Sequence, residues 1–446
     1  MTQTNRCWTV MVYMAGDNGK VFEQLQGQKT LWGNSFLEPE GYANIQQMEA
    51  VGSTEQVAIL VQFDTLSDNK STYLIDIGAQ GEKPCIENIP SQNTGDPKSL
   101  TNFIVWGIDK YPAQYYSVII WGHGNGWKED DIYTQARNSG IEVKASNDEV
   151  RSFTTNSRFN KALFVSSIVE VLSLDDEASR GIAFDDSSLD FLDNANLQQA
   201  FLDAEKITGQ KVNLIGMDAC LMSMVEVAYQ LRANADYMVG SQEIQPTSGW
   251  PYQPILQKLT TNPEMTPEGL AKLIVQEYGS AYESYYNETR GNMPRLVTQS
   301  ATNLKLVGQL AEAIGKLAKL LCETAEEDFD LERALGTAKR KATYFNERQR
   351  HKDSVDLYDF LRIVDEQYTG DNDKLIALLK KVMQLLSQDA ESKVVSEHIA
   401  LGVKNSYVKG LAIYLPKTSY SPFYGNVDFA KYGWGEFLQV LNKLIK

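Results

Sequence analysis

Two side chains able to do nucleophilic chemistry stand where apolar runs give out. Cys220 follows Val212-Asn213-Leu214-Ile215-Gly216-Met217-Asp218, a run bounded on its other side by Gly209-Gln210-Lys211. Such a run reads as a strand buried on both faces. Beyond it, Leu221, Met224, Val225 and Ala228 follow helical spacing. Ser223 with Glu226 three residues later has the pattern of a capping box, which puts the helix start near Met224. A strand end turning into a helix is where open α/β sheets collect their chemistry. His123 follows a second apolar run, Tyr116–Trp121, inside Gly122-His123-Gly124-Asn125-Gly126-Trp127. A thiol with a pKa of about 8.5 becomes a usable nucleophile beside an imidazole. The imidazole can then protonate a leaving amine. Backbone N–H groups of Gly124 and Cys220 are candidate donors to an oxyanion.

Each of these residues also has an ordinary reading. A free cysteine is often a small buried hydrophobe, and a lone histidine is often a hydrogen-bonded structural residue. Of the three histidines, His351 lies in a charged run and His398 in a polar, helix-like stretch, so His123 alone follows a buried strand. Asp218 sits two residues before Cys220 and points the same way if the chain is extended. A carboxylate at a buried strand end is costly unless paired or solvated. A cleft receiving a cationic ligand would remove that cost, while a hydrogen bond at the helix entry is the plainer role.

The elements that must position these groups recur as strand, loop and helix. Trp8–Met14, Gln56–Phe63, Tyr116–Trp121, the Cys220 strand and Asp236–Gly240 read as strands, with Ser71–Ile77 as a hairpin partner of the second. Helices are expected at Ser99–Lys110 and Asn196–Ile207. This order predicts an α/β fold, a mostly parallel sheet sandwiched by helices. After Asp236–Gly240, the loop Ser241-Gln242-Glu243 and then Gly249-Trp250-Pro251-Tyr252 are either simple turn chemistry or a pocket wall with an aromatic lid. Residues 261–404 read as mainly helical, clearest at Leu304–Leu321, Asp356–Tyr368 and Asn372–Leu386. In 405–446, Gly410–Leu415 reads as a strand returning to the sheet and Trp434–Ile445 as a closing helix. The polar stretch 128–180 is long for a connection within a compact domain, which suggests a functional or cleavable loop.

Composition narrows the function. The 446-residue chain has Lys+Arg 42 against Asp+Glu 58, a formal charge of −16. That balance argues against nucleic-acid and anionic-membrane partners and favours basic substrates. No apolar stretch approaches the roughly 18 residues of a membrane span. No signal-peptide pattern is seen. The four cysteines lack metal spacing and suit a reducing, cytoplasmic setting.

The stretches YSVIIWGHGNGW (116–127) and GMDACLMSMVE (216–226) resemble the two active-site motifs of the clostripain family of cysteine peptidases. WTVMVYMAGDN, Gly95-Asp96-Pro97, Ser241-Gln242-Glu243, Gly249-Trp250-Pro251-Tyr252 and GLAIYLP resemble it as well, so the likeness runs through most of the chain. It is weakest in 128–180 and in the helical region. The resemblance implies a caspase-like peptidase domain over 1–260, with 128–180 as an inserted activation loop, a mainly helical domain over 261–404, and 405–446 returning to the core. It implies a dyad of His123 and Cys220 and cleavage after Arg or Lys, with Asp218 linked to the basic P1 side chain and Ser241 and Glu243 in the same pocket. It also implies a zymogen cut between the two motifs, for which Lys144 and Arg151 are the first candidates. Some members need calcium, but no calcium-loop pattern is present here, and no cofactor or metal is expected. Many relatives are exported. A cytoplasmic member would need control by processing or by a regulatory protein partner. The competing expectation is a catalytically silent caspase-like module that acts by binding protein.

Overall fold

The computed structural model describes residues 6–17, 37–65, 71–122, 124, 126, 192–289, 296–345, 353–387, 393–402, 407–417, 420–421 and 424–445. The sheet strands among them are β1 (Trp8–Ala15), β2 (Val57–Asp64), β3 (Ser71–Asp76), β4 (Cys85–Pro90), β5 (Tyr115–Trp121), β6 (Leu214–Asp218), β7 (Tyr237–Gly240), β8 (Val297–Asn303) and β10 (Val395–Leu401). They form a nine-stranded sheet in the order β10-β8-β7-β6-β5-β1-β2-β3-β4. The centre, β7 through β2, is parallel. Both margins are antiparallel: β2 to β3 to β4 on one side, β7 to β8 to β10 on the other.

The central strands are apolar throughout because helices cover both faces. The two-residue alternation divides them cleanly. Met11 and Tyr13 of β1, Val118 and Ile120 of β5, and Ile215 and Met217 of β6 enter one core layer with helices α2 (Pro97–Lys110), α3 (Asn194–Thr208), α4 (Val225–Leu231) and α7 (Val307–Thr324). Val10 and Val12 of β1, Ile119 and Trp121 of β5, and Leu214 of β6 enter the other, with α1 (Glu38–Val51), α5 (Tyr252–Thr261) and α6 (Pro267–Thr289). Caps fix the helix starts, as where the Asp96 side chain accepts from Lys98 N–H ahead of Pro97 in α2.

The stretch 261–404 is mainly helical, and it also supplies β8 and β10, which extend the sheet beyond β7 with α6 packed on them. Its remaining helices α8 (Phe329–Lys341), α9 (Leu357–Gln367) and α10 (Asp373–Leu386), with α11 (Trp434–Leu444), share the first core layer with the amino-terminal strands. The strand from GLAIYLP, β11 (Ala412–Tyr414), does not rejoin the sheet. It pairs antiparallel with β9 (Ser354–Asp356) in a separate ribbon that touches the Cys220 turn through a bridge between Met224 and Ala412.

Candidate active site

Strands β5 and β6 run side by side with Trp121 opposite Asp218, so both end at the same edge of the sheet. Just past β5, the Gly122 N–H donates to the Asp218 carbonyl at 3.2 Å. Gly124 lies against the Cys220 turn: a Cβ there would stand 2.5 Å from the Cys220 carbonyl oxygen and 2.8 Å from Met222 Sδ. Only glycine admits so close an approach. His123 lies outside the described residues, as do Lys144 and Arg151, whereas the glycines on either side of His123 both meet the tip of β6.

Cys220 occupies a tight, strained turn. Leu221 takes a left-handed conformation with φ of 61°, which costs a non-glycine residue about 1–3 kcal/mol unless its surroundings enforce it. The loop after β7 does so. The Leu221 N–H donates to the Glu243 carbonyl at 3.3 Å, and the Ser223 N–H to the Ser241 carbonyl at 2.8 Å. The Gln245 N–H donates to Cys220 Sγ at 3.3 Å. Burial pushes the Cys220 thiol up to about 12, the charges of Glu243 and Asp218 push the same way, and the N–H groups of Gln245 and Gly124 pull it back.

Asp218 faces the opposite core layer. Its Oδ2 accepts from the Trp250 N–H at 3.1 Å and from the Tyr252 hydroxyl at 2.9 Å. Its Oδ1 is buried and has no hydrogen-bond partner among the described residues. Gly249 holds the loop against the carboxylate, at φ of 64°, with room for no side chain: a Cβ would lie 2.9 Å from Oδ2. Trp250 and Tyr252 are each 1% exposed, so the expected aromatic lid is instead a buried support under Asp218. Strand geometry stops at Asp218, so the alternation that put Asp218 and Cys220 on one side does not reach Cys220.

Ser241 is fully buried. Its hydroxyl donates to the Glu243 carbonyl at 2.8 Å and lies 2.9 Å from Thr298 Oγ1, which ties the loop to β8. Glu243 Oε1 accepts from Ile244 N–H at 2.8 Å. Thr298 and Gln299 carry no mark in the sequence, because nothing in the polar run of β8 identifies them as supports of a distant loop. The capping box is also corrected. The Ser223 hydroxyl donates to the Gly410 carbonyl at 2.7 Å, and Glu226 Oε1 accepts from Tyr414 N–H at 3.0 Å and the Tyr424 hydroxyl at 2.8 Å. Helix α4 starts without a side-chain cap.

Among the described residues no three His, Cys, Asp or Glu side chains gather as a metal site. No helix among the described residues is long and apolar enough to cross a membrane.

Three buried carboxyls are raised by burial, Asp218 and Glu226 to about 7 and Asp356 to about 6, against the hydrogen bonds each accepts. Each keeps a proton in the folded chain that the unfolded chain releases above a pH of about 4. Their stabilising contribution is therefore complete below the unfolded value and lost as pH rises through 6 to 7. Asp218→Asn should remove one such component. Urea melts should find the variant's stability falling less than wild type between pH 4 and 8, by a few kcal/mol (about 3–4) at most. Parallel curves would contradict the burial of that charge.

The sheet order and the flanking helices are those of a caspase-like fold. A solved structure of a secreted C11 cysteine protease from Bacteroides thetaiotaomicron with an irreversible peptide inhibitor is similar over 96% of this chain and 99% of its own, with a TM-score of 0.60 and 19% identity. An inactive zymogen C11 protease from Parabacteroides distasonis is similar over 97% of this chain and 100% of its own, with a TM-score of 0.59 and 18% identity. Clostripain of Hathewaya histolytica is 28% identical over 173 residues, a match that spans 37% of this chain and only 25% of that relative. The model of the clostripain family matches residues 39–176 and 171–439. The chain belongs to the clostripain family of cysteine peptidases.

Proposed function

We propose that this chain hydrolyses peptide bonds on the carboxyl side of Arg or Lys, through a Cys220–His123 dyad and an acyl-enzyme. The observation that carries the reading is the Asp218 carboxyl. It is buried at the strand tip two residues before Cys220, with one oxygen held by Trp250 and Tyr252 and the other without a partner among the described residues. A guanidinium or ammonium group supplies the missing donors.

In this reading the Cys220 sulfur attacks the P1 carbonyl carbon. The N–H groups of Gly124 and Cys220 receive the oxyanion. The C–N bond then breaks, and His123 gives its proton to the leaving amine. Water next attacks the thioester with His123 as base, which releases the acid and restores the thiol. Ser241 and Glu243 act by shaping the loop beside the pocket. The substrates are peptides and proteins with a basic P1 residue. The chain's own 128–180 stretch is among them, with Lys144 and Arg151 the first candidates for the cut.

The rival reading, a silent binding module, draws on the buried thiol and its raised pKa. One panel decides between them. Purified protein is offered Arg-, Lys- and Asp-terminated fluorogenic peptides, and its mass is followed on standing. Turnover confined to Arg and Lys, with a cut after a basic residue of 128–180, supports the protease. Equal or absent turnover on all three, with an uncut chain, supports the module. The four free thiols fit a cytoplasmic enzyme held in check by that processing or by a partner protein. Recovery of the protein from the culture medium of intact cells would overturn this placement.

A further inference from the structure

The two polar residues that match a capping box are spent elsewhere, and where they go is informative. The turn from Cys220 to Met224 is held on one side by the 241–245 loop. On its other side it is held by the carboxyl-terminal ribbon, residues nearly two hundred positions downstream. Ala412 N–H donates to the Ser223 carbonyl at 2.9 Å. The Ser223 hydroxyl donates to the Gly410 carbonyl and lies 2.7 Å from the Ser300 hydroxyl. Met224 and Ala412 form a parallel bridge. Glu226, 3% exposed, takes both Tyr414 N–H and the Tyr424 hydroxyl on one oxygen. The Tyr414 and Tyr424 rings lie 4.7 Å apart, and Trp434 Nε1–H closes on the Tyr414 carbonyl at 2.7 Å.

The same ribbon reaches the second loop of the site. Asp356 Oδ2 accepts from Gln242 Nε2 at 3.0 Å and from Lys409 N–H at 2.9 Å. One small ribbon therefore touches both backbone segments that surround the Cys220 sulfur. A left-handed Leu221 persists only where the neighbouring chain over-determines it. Here the enforcing contacts come from β7's loop and from the ribbon, not from α4 itself.

We infer that the ribbon of β9 and β11 positions the nucleophile, and that Glu226 is a positioning residue that acts through Tyr414 and Tyr424. Glu226 does not touch the sulfur. Its loss removes the acceptor that Tyr414 N–H and the Tyr424 hydroxyl share, lets the ribbon move from Ser223, and shifts Cys220 relative to the Gln245 and Gly124 N–H groups. The Asp218 pocket, built on Trp250 and Tyr252, is left in place. The inference deepens the protease reading and rests on it for its kinetic arm.

The test compares Glu226→Leu, Glu226→Gln and Tyr424→Phe in the full chain, with near-ultraviolet circular dichroism counting folded protein. On an Arg-terminated peptide, Glu226→Leu is expected to lose about 100-fold in kcat with KM nearly unchanged, the scale of a misplacement of about 1 Å. Glu226→Gln keeps an oxygen acceptor and should stay within about threefold of wild type. A second readout needs no turnover: the pH profile of iodoacetamide alkylation at Cys220, followed on its own peptide by mass spectrometry. Its midpoint should move in Glu226→Leu and stay in Glu226→Gln. A folded Glu226→Leu with wild-type kcat and an unmoved midpoint overturns the inference. Should that variant not fold, Tyr424→Phe decides instead. A moved midpoint there supports the inference, and an unmoved one overturns it. A wild-type chain without turnover would count against the protease reading alone, because the alkylation profile still judges the positioning role.

Discussion

Cys220→Ala is expected to lower turnover of Arg-terminated peptides by on the order of 10⁴- to 10⁶-fold, since no other group at the strand tip can form the thioester. The fold should survive the change. The sulfur accepts from the Gln245 N–H, and the strained turn is held by backbone bonds of Leu221 and Ser223 that the substitution leaves alone. The loss in stability should stay near about 1 kcal/mol. His123→Ala should fall into the same range of lost activity, and the double variant should be no worse than the single ones, because the two act as one unit. Steady-state assays on the three proteins check this. A Cys220→Ala protein that keeps even a tenth of wild-type turnover would place the chemistry elsewhere.

Asp218→Asn should produce the second large effect. The amide keeps an oxygen to accept from Trp250 N–H and the Tyr252 hydroxyl, so the loop from Gly249 to Tyr252 remains seated. What disappears is the charge opposite a basic P1 side chain. Losing one member of a buried ion pair costs about 3–5 kcal/mol, which is on the order of 10²- to 10⁴-fold in kcat/KM. Alkylation of Cys220 by a small uncharged reagent should change little. Because burial raises Asp218 to about 7 in the free chain, a basic ligand must also draw off its proton. KM for Arg peptides should therefore fall as pH rises from 6 to 8 in wild type, and the fall should vanish in Asp218→Asn. Equal losses in alkylation and in peptide turnover would instead make Asp218 a support of the nucleophile. The variant gains stability above neutral pH while it loses function.

The parts of this molecule legible in its sequence are those whose partners are local or whose burial is two-sided. Apolar runs announce β1, β2, β5 and β6, and Cys220 falls at the end of the last of them. Strand β8 is hidden for the opposite reason. Its VTQSATN is buried, yet polar, because Thr298 and Ser300 hold Ser241 and Ser223, and Gln299 meets Gln245. A periodicity built on apolar residues passes over such a strand. Ser223 and Glu226 mislead in the same way. Their spacing fits a cap on α4, but Gly410, Tyr414 and Tyr424 offer better partners from far along the chain. The short strand of GLAIYLP carries the right pattern, yet only packing decides that it pairs with Ser354–Asp356 rather than with the main sheet. The expense of burying its charge marks Asp218, and aromatic character marks Trp250 and Tyr252, but their joint grip on one oxygen is a three-dimensional fact.

The most direct test is a mass map of the chain after treatment with an electrophilic ketone carrying a peptide that ends in Arg. A thiol made nucleophilic beside an anionic P1 pocket predicts one adduct, on the peptide containing Cys220, abolished in Asp218→Ala and absent with an Asp-terminated reagent. Modification of Cys7, Cys85 or Cys322 in its place, or equal labelling by the basic and acidic reagents, would contradict the account.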